Sequence, residues 1–237
     1  MQPSPIKRWF LRLFENYVLS FPFLSEHRLA KDLIYEFLRV WHYLSRANIR
    51  GDYLEFGVYE GASFNLSMRS AEKFFPKGSP DSPRFFAFDS FQGLPAIHPE
   101  RDSAVYGQGQ YEAGLDTFKK NIKKASRGWE IVTVPGFFDS SLTPQLLQEH
   151  KLRQAAFVNI DCDLYGSTLT ALRFVTPLLR TGSVLYFDDW FFSSGDMRLG
   201  EPGACSDWLR ENPSIRLVEF GNVAIMGKLF IVNLGPA

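Results

Sequence analysis

Beyond residue 50, the chain alternates short apolar runs with amphipathic helical patterns, and this alternation is what most restricts its fold. The runs 156–160 and 184–187 are apolar on both faces, which is typical of parallel strands covered by helices on each side. The predicted fold class is therefore α/β, with a mostly parallel seven-stranded sheet and helices on both faces. The predicted strands are 52–57, 84–89, 130–135, 155–161, 183–188, 215–220 and 223–233.

Helical patterns separate most of these strands. They are predicted near residues 61–75, 114–126, 142–151, 167–180 and 203–211. The last two strands have only Gly221 and Asn222 between them, which predicts a C-terminal antiparallel hairpin with its turn at this pair.

Two further amphipathic helices are predicted before the sheet, over residues 6–19 and 27–47, with Pro22 interrupting the pattern between them. The chain is thus divided into an N-terminal helical extension, residues 1–50, and a main domain, residues 51–237. The extension is expected to cover the functional site or to contact a second copy, so a homo-oligomer is predicted.

Composition excludes several classes of protein. The 26 basic and 26 acidic side chains balance, whereas a nucleic-acid binder normally has a basic surplus. No run of about 20 apolar residues exists, and the N-terminus lacks a secretion signal pattern, so the protein is predicted to be neither membrane-spanning nor secreted. The only cysteines, Cys162 and Cys205, give no disulfide framework and no zinc spacing, which favours a cytoplasmic location.

Acidic residues stand at the ends of four predicted strands. They are Glu55, Asp89, Asp161 and the pair Asp188 and Asp189. In an open parallel sheet, ligands bind at the carboxyl ends of the strands, so these acids are predicted to meet at a ligand site. The alternative for any one of them is a helix cap or a turn residue.

The segment after the first strand is predicted to bind a nucleoside. Gly57 and Gly61 allow a sharp turn and a close approach of the backbone to a ligand, and a helix follows. The next strand ends at Asp89, whose carboxylate is predicted to accept the hydroxyls of a ribose. Glu60 in the same loop opposes a pyrophosphate at the helix N-terminus.

The acids after the fourth and fifth strands point to a metal. Two like charges about 4 Å apart repel by roughly 4 kcal/mol at an effective dielectric constant near 20. Asp161, Asp188 and Asp189 therefore need compensation, and Mg²⁺ with oxygen ligands is the predicted partner. Protonation, or capping of the following helices by some of these acids, remains the alternative.

At these residues the chain resembles the macrocin O-methyltransferase family of class I S-adenosylmethionine (SAM)-dependent methyltransferases, which have a Rossmann-like fold. The matching segments begin at Glu55, Phe88, Ile160 and Phe187: Glu-Phe-Gly-Val-Tyr-Glu-Gly, Phe-Asp-Ser-Phe-Gln-Gly-Leu-Pro, Ile-Asp-Cys-Asp-Leu-Tyr-Gly-Ser-Thr and Phe-Asp-Asp-Trp. The first segment is also similar to a loop of catechol O-methyltransferase. The resemblance makes residues 51–237 the SAM-binding catalytic domain.

The resemblance also implies roles for individual residues. The implied SAM-binding residues are Glu55, Gly57, Tyr59, Gly61, Ser63, Asp89, Ser90, Gly136, Phe137, Asp139 and Asp161. Among these, Gly136, Phe137 and Asp139 are placed near the adenine by resemblance alone. The implied metal ligands are Asp161, Asp188 and Asp189, and the catalytic residues are Asp161 and Asp163.

The chain differs from its relatives at positions that bear on the identity of the catalytic base. Catechol O-methyltransferase has a basic lysine where this chain has Leu164, and family members commonly have Glu where this chain has Gln92 and Gly166. Asp163 is the first candidate for the base, and His98, in the predicted lid loop 98–112, is the second.

The predicted function is SAM- and Mg²⁺-dependent O-methylation of a small molecule, on a hydroxyl of a sugar in a glycosylated metabolite or saccharide. A metal that binds two adjacent substrate oxygens favours a vicinal diol as the acceptor. Two alternatives remain open at this point: a nicotinamide-nucleotide-dependent oxidoreductase, and a non-catalytic SAM-binding module.

Overall fold

The computed structural model describes the backbone of residues 22–235 and the side chains of residues 31–235. The strands are β1 (Asp52–Phe56), β2 (Phe85–Asp89), β3 (Ile131–Pro135), β4 (Ala155–Ile160), β5 (Val184–Phe187), β6 (Ile215–Val223) and β7 (Gly227–Leu234). The α-helices are α1 (Pro22–Arg46), α2 (Ala62–Ala71), α3 (Leu115–Ile122), α4 (Phe138–Ser141), α5 (Pro144–Glu149), α6 (Tyr165–Val175) and α7 (Gly200–Glu211).

The strands form one sheet in the order β3-β2-β1-β4-β5-β7-β6. Strands β1 to β5 are parallel, and β7 is antiparallel to both β5 and β6. This confirms the predicted fold class. Phe56, Ile160 and Phe187 lie side by side at the ends of β1, β4 and β5, so the residues that follow them meet at one edge.

The predicted hairpin is present, but the predicted position of its turn is wrong. Gly221 and Asn222 lie inside β6 and pair with Leu229 and Lys228. The turn is three residues further on, over 224–226, and Ala224 adopts a left-handed conformation with φ of 48°. A register shift between Glu219 and Gly221 lets β6 continue through the glycine, so the Gly-Asn pair marks an irregularity of the strand.

The aromatic residues fill the core on both faces of the sheet. On one face, Trp41 of α1 packs edge-on against Phe157 of β4 and Phe75, with ring centroids 6.0 and 5.6 Å apart. On the other face, Phe56 and Phe88 stack at 4.6 Å. Each such buried side chain contributes about 1.5–3 kcal/mol, so helix α1 is fixed to the sheet by its apolar stripe. The predicted helix 6–19 lies outside the described residues.

Within residues 22–235, no helix is long and apolar enough to cross a membrane. Cys162 and Cys205 are buried free thiols.

Candidate functional site

A cavity of about 680 Å³ opens at the carboxyl edge of the sheet, above β1, β2, β4 and β5. This is the volume range of small-molecule sites. The predicted site residues that line it are Gly57, Tyr59, Ser63, Asp89, Ser90, Phe137, Asp139, Asp161, Asp163, Asp188 and Asp189. Glu55, Gly61 and Gly136 are not among its lining residues.

The floor of the cavity depends on a glycine after β1. Gly57 has a φ of +86°, and a Cβ added to it would lie 1.7 Å from the carbonyl oxygen of Asp161. The Gly57 N–H donates to the carbonyl of Phe88 at 2.9 Å, and the Asp161 N–H donates to the carbonyl of Phe56 at 2.9 Å. Because backbone fixed by these bonds occupies the space of a side chain, only glycine fits at position 57.

Asp89 holds this same loop in place. Its Oδ2 accepts the backbone N–H groups of Val58 and Tyr59 at 2.8 and 3.0 Å, and its Oδ1 accepts that of Phe91 at 2.7 Å. A carboxylate has about four acceptor positions, so Asp89 retains room for about one further donor. The sequence placed Asp89 at the cavity but did not indicate this contact with the loop.

Glu55 lies beneath the cavity and is completely buried. One of its carboxyl oxygens accepts the hydroxyl of Ser63 at 2.6 Å, and the other is hydrogen-bonded to the hydroxyl of Tyr53. Burial raises the pKa of Glu55 from 4.5 to about 7, although both hydroxyl bonds oppose the shift. Since Ser63 lines the cavity, Glu55 reaches it through this hydroxyl.

Replacing Glu55 with glutamine should reduce the pH dependence of stability. The pKa of Glu55 is raised in the fold, so its contribution is present below about pH 4.5 and is lost as pH rises to about 7. The free energy of unfolding of Glu55→Gln should therefore fall less across this window, by about 3 kcal/mol. Urea unfolding at about pH 5 and pH 8, with chelator present, measures this, and the exposed Glu60→Gln is the control. Equal pH dependence in the two variants would contradict the assignment.

Three of the predicted acids, Asp161, Asp188 and Asp189, line the cavity where β4 and β5 end. Asp188 is hydrogen-bonded to the hydroxyl of Tyr186, and Asp189 Oδ2 accepts the hydroxyl of Tyr106 at 3.0 Å. Burial, and then the charge of Asp188, raises the pKa of Asp161 well above its ordinary range. The expected convergence of acids at this edge is therefore present.

Asp163 belongs to the same cluster. It adopts a left-handed conformation with φ of 62°, in the loop between β4 and α6. Burial raises its pKa to about 8, and a hydrogen bond with Asp189 adds to this shift. His98 also lines the cavity, and its backbone N–H donates to Asp102.

Sequence reasoning missed two members of this cluster. Glu201, in the first turn of α7, is completely buried, and its Oε2 accepts the backbone N–H of Asp189 at 2.9 Å. Its Oε1 has no hydrogen-bond partner among the described residues. Burial and the charges of Asp189 and Asp188 raise its pKa well above its ordinary range. Tyr106 is the other member, and its place in an irregular loop gave no periodic signal.

The loop 98–112 is anchored to the main body. Asp102 is buried and accepts the backbone N–H of Tyr165, at the start of α6, at 2.8 Å. The carbonyl of Arg101 accepts the N–H of Gly200 at 2.8 Å. These bonds bring Tyr106 over the acids, where its ring stacks on Phe192 at 5.2 Å. A lid function for this loop stays a prediction.

In the part of the chain with described side chains, residues 31–235, no group of three or more His, Cys, Asp and Glu side chains is arranged to hold a metal ion. The acids are close enough to shift one another's pKa, but Asp188 and Asp189 engage tyrosine hydroxyls. The carboxylates predicted to bind Mg²⁺ therefore lie in the cavity, but they are not arranged in a coordination geometry.

Residues 24–200 match the model of a protein family described as macrocin O-methyltransferase (TylF). The chain belongs to the macrocin O-methyltransferase family. As a member, it is a SAM-dependent O-methyltransferase, which decides against the nicotinamide oxidoreductase and the non-catalytic module. A comparison with curated protein sequences gives no match for this macrocin O-methyltransferase family member.

Solved structures share the fold of this family member at low sequence identity. The O-methyltransferase NovP superposes with a TM-score of 0.66 at 17% identity, over 84% of this chain and 79% of NovP. The calicheamicin methyltransferase CalS11 gives 0.68 at 17% identity, over 98% and 94% of the two chains. TomG from Streptomyces achromogenes, an O-methyltransferase of tomaymycin synthesis solved with SAM, gives 0.54 at 12% identity, over 99% and 100%.

Proposed function

We propose that this enzyme transfers a methyl group from SAM to a hydroxyl of a sugar bearing a vicinal diol, in a Mg²⁺-dependent reaction. The observation that carries the proposal is the meeting of Asp161, Asp188 and Asp189 in the lining of the cavity of about 680 Å³. The fold neighbour CalS11, described as a TDP-rhamnose 3'-O-methyltransferase, supports a sugar acceptor.

We propose that SAM lies across the ends of β1, β2 and β4. The Gly57 loop would receive the methionine part, with Glu55 polarising Ser63 from below. Asp89 would use its remaining acceptor position for one ribose hydroxyl, instead of the two hydroxyls expected from the sequence. Phe137 and Asp139 would border the adenine, and Asp139 is oriented by the hydroxyl of Thr170 at 3.1 Å.

The donor groups fit Mg²⁺ in their chemistry. Asp161 and Asp188 are partly buried. Burial raises the pKa of both, and the charge of Asp188 adds to the shift of Asp161, as the charge of Asp189 adds to that of Asp188. A hard cation would remove this repulsion, and carboxylate oxygens are its preferred ligands. When bound, Mg²⁺ would lower the pKa of an acceptor hydroxyl. Asp161, Asp188 and Asp189 would hold it.

The other residues of the cluster would align the acceptor and move its proton. Asp163, with its pKa near 8, is proposed to take the proton of the acceptor hydroxyl, since a base is most effective when its pKa lies near the working pH. Tyr106 and Glu201 fix Asp189 through its carboxylate and its backbone N–H. In-line methyl transfer depends mainly on such alignment.

Replacing Asp89 with asparagine should weaken SAM binding by about 10- to 100-fold, because an amide can place an N–H group against the N–H groups of Val58 and Tyr59. Titration calorimetry with SAM measures the affinity. Hydrogen exchange of the Val58 and Tyr59 amides shows whether the loop has also been released. The exposed Asp116→Asn is the control, and unchanged SAM affinity in Asp89→Asn would contradict the assignment.

A methyl-transfer screen tests the function directly. Radiolabelled SAM is incubated with the enzyme and a panel of glycosides that differ in the position of their vicinal hydroxyls, with Mg²⁺ or with chelator. Transfer that requires both a diol and Mg²⁺ is the expected result. Transfer that is unaffected by the chelator would reject the metal, and transfer only to isolated hydroxyls would reject the diol.

The division at residue 50, the homo-oligomer and the cytoplasmic location remain proposals that rest on the sequence.

A further inference from the structure

Tyr111 lies between the loop proposed to bind SAM and the acidic cluster. It lines the cavity of about 680 Å³, and 47% of the residue is exposed. Its ring meets the ring of Tyr59, in the SAM loop, edge-on, with centroids 6.1 Å apart and planes at 80°. Burial, and then the charges of Asp163 and Asp189, raise the pKa of its hydroxyl. Tyr111 therefore contacts the SAM loop and lies within electrostatic reach of the acids.

The backbone next to Tyr111 is fixed by a close approach to the turn after β2. The Leu94 N–H donates to the carbonyl of Gln110 at 2.9 Å, and the Gly109 N–H donates to the carbonyl of Leu94 at 2.9 Å. A Cβ added to Gly93 would overlap the carbonyl of Gly109, whose carbon would be 2.6 Å away. The glycine thus allows residues 93–94 to clamp residues 109–110, and this clamp sets the position of Tyr111.

The conformation of Tyr111 is itself strained. Its φ is 60°, in the left-handed region that glycine and asparagine adopt at lower cost than a bulky residue. Strained positions of this kind cluster at ligand sites, where the surrounding structure holds them. The strain at Tyr111 points to a use for its aromatic side chain.

The side chain of Tyr111 matches the chemistry of a pyranose ring. A pyranose carries C–H groups on its faces and hydroxyls around its edge, and tyrosine has an apolar ring with a polar end. Stacking of the two rings would bury apolar surface of Tyr111 that is now in water. The sugar hydroxyls at the edge would then remain available to Asp188, Asp189 and a cation bound there.

We propose that the sugar ring of the acceptor stacks on Tyr111, which the clamp at Gly93 presets for this contact. The inference rests on the proposed function, and it identifies the surface that binds the sugar ring. Because Tyr111 lies between Tyr59 and the acids, stacking there would hold the acceptor hydroxyl in line with the methyl group of SAM.

An NMR titration tests the stacking without requiring turnover. The probe is methyl α-L-rhamnopyranoside, which carries vicinal hydroxyls, added to the protein loaded with S-adenosylhomocysteine and Mg²⁺. Its C–H signals should shift upfield on binding to the unmodified protein and to Tyr111→Phe. In Tyr111→Leu, which is apolar but not aromatic, the upfield shift should disappear and affinity should fall about three- to tenfold. Absence of binding to the unmodified protein, or an upfield shift that survives Tyr111→Leu, would overturn the proposal.

Tyr35→Leu is the matched control, since Tyr35 is 64% exposed on α1 and does not line the cavity. It should change neither the signals nor the affinity of the rhamnoside. Calorimetry with S-adenosylhomocysteine separates the two sites. A greater loss of affinity for S-adenosylhomocysteine than for the rhamnoside in Tyr111→Leu would assign the residue to the cofactor and overturn the proposal. Failure of the methyltransferase assignment itself would appear separately, as absent S-adenosylhomocysteine binding or absent methyl transfer in the unmodified enzyme.

Two glycine variants test the clamp. Gly93 and Gly109 both have a φ of +78°, but a Cβ on Gly109 would meet nothing within 4 Å. Hydrogen exchange of the amides of residues 94 and 109 should therefore accelerate in Gly93→Ala and not in Gly109→Ala, and only Gly93→Ala should bind the rhamnoside more weakly. Equal exchange in the two variants would overturn the clamp as the feature that presets Tyr111.

Discussion

Replacing Gly57 with alanine should destabilise the protein by about 3 kcal/mol or more and abolish SAM binding. The added Cβ would lie 1.7 Å from the Asp161 carbonyl oxygen and 2.7 Å from its carbon. Both contacts are with backbone, so no rotation of a side chain relieves them, and the end of β1 must separate from the end of β4. The left-handed φ adds its own cost to that of the clash. Urea unfolding and SAM titration measure the two losses.

Gly78→Ala is the matched control for this change. Gly78 also has a positive φ, of +72°, but a Cβ there would meet nothing within 4 Å. Its loss of stability should be limited to the conformational cost of about 1 kcal/mol, with SAM affinity unchanged. If Gly57→Ala were no less stable than Gly78→Ala, the close approach to Asp161 would not exist.

Replacing Asp188 with asparagine should lower kcat/KM for methyl transfer by at least about 100-fold. Asp188 lines the cavity proposed for SAM together with Asp161 and Asp189, where the acceptor hydroxyl would lie. The substitution removes a charge from the proposed metal site. Radiolabelled methyl transfer at saturating Mg²⁺ measures the loss, and calorimetry shows whether Mg²⁺ affinity falls with it.

The same variant should not lose stability at about pH 8. Asp188 is partly buried among like charges, and its pKa is raised by burial and by Asp189 although the Tyr186 hydroxyl opposes the shift. The neutral amide removes this repulsion and still offers an oxygen to Tyr186. A low melting temperature would therefore show that the activity was lost through unfolding. Asp81→Asn, at a side chain that is 66% exposed, should change neither property.

The fold could be predicted because its signals are local. Runs such as 156–160 are apolar on both faces, and this pattern is typical of strands that helices cover on both sides. The hairpin turn could not be placed, because Gly221 and Asn222 are typical turn residues that here accommodate a register shift inside β6. A Gly-Asn pair looks the same in the sequence whether it forms a turn or lies in a strand. Only its pairing with β7 shows that it lies in the strand here.

The site could be predicted where its residues directly follow strands. Asp89, Asp161, Asp188 and Asp189 were found in this way, because parallel strands bring their ends together. Tyr106 and Glu201 could not be found, since they arrive from a loop and from the start of a helix through tertiary contacts. The burial of Glu55 behind Ser63 likewise depends on how α2 packs on β1.

The loop at Gly57 and the turn 224–226 of the β6–β7 hairpin differ in how much sequence change they tolerate. At Gly57 the backbone that follows β4 fills the space of a side chain, so no residue other than glycine fits there. The turn 224–226 lies between paired strands, and its side chains Ile225 and Met226 project toward water, so substitutions there leave the core and the sheet register intact. The turn therefore tolerates sequence divergence that the loop after β1 excludes.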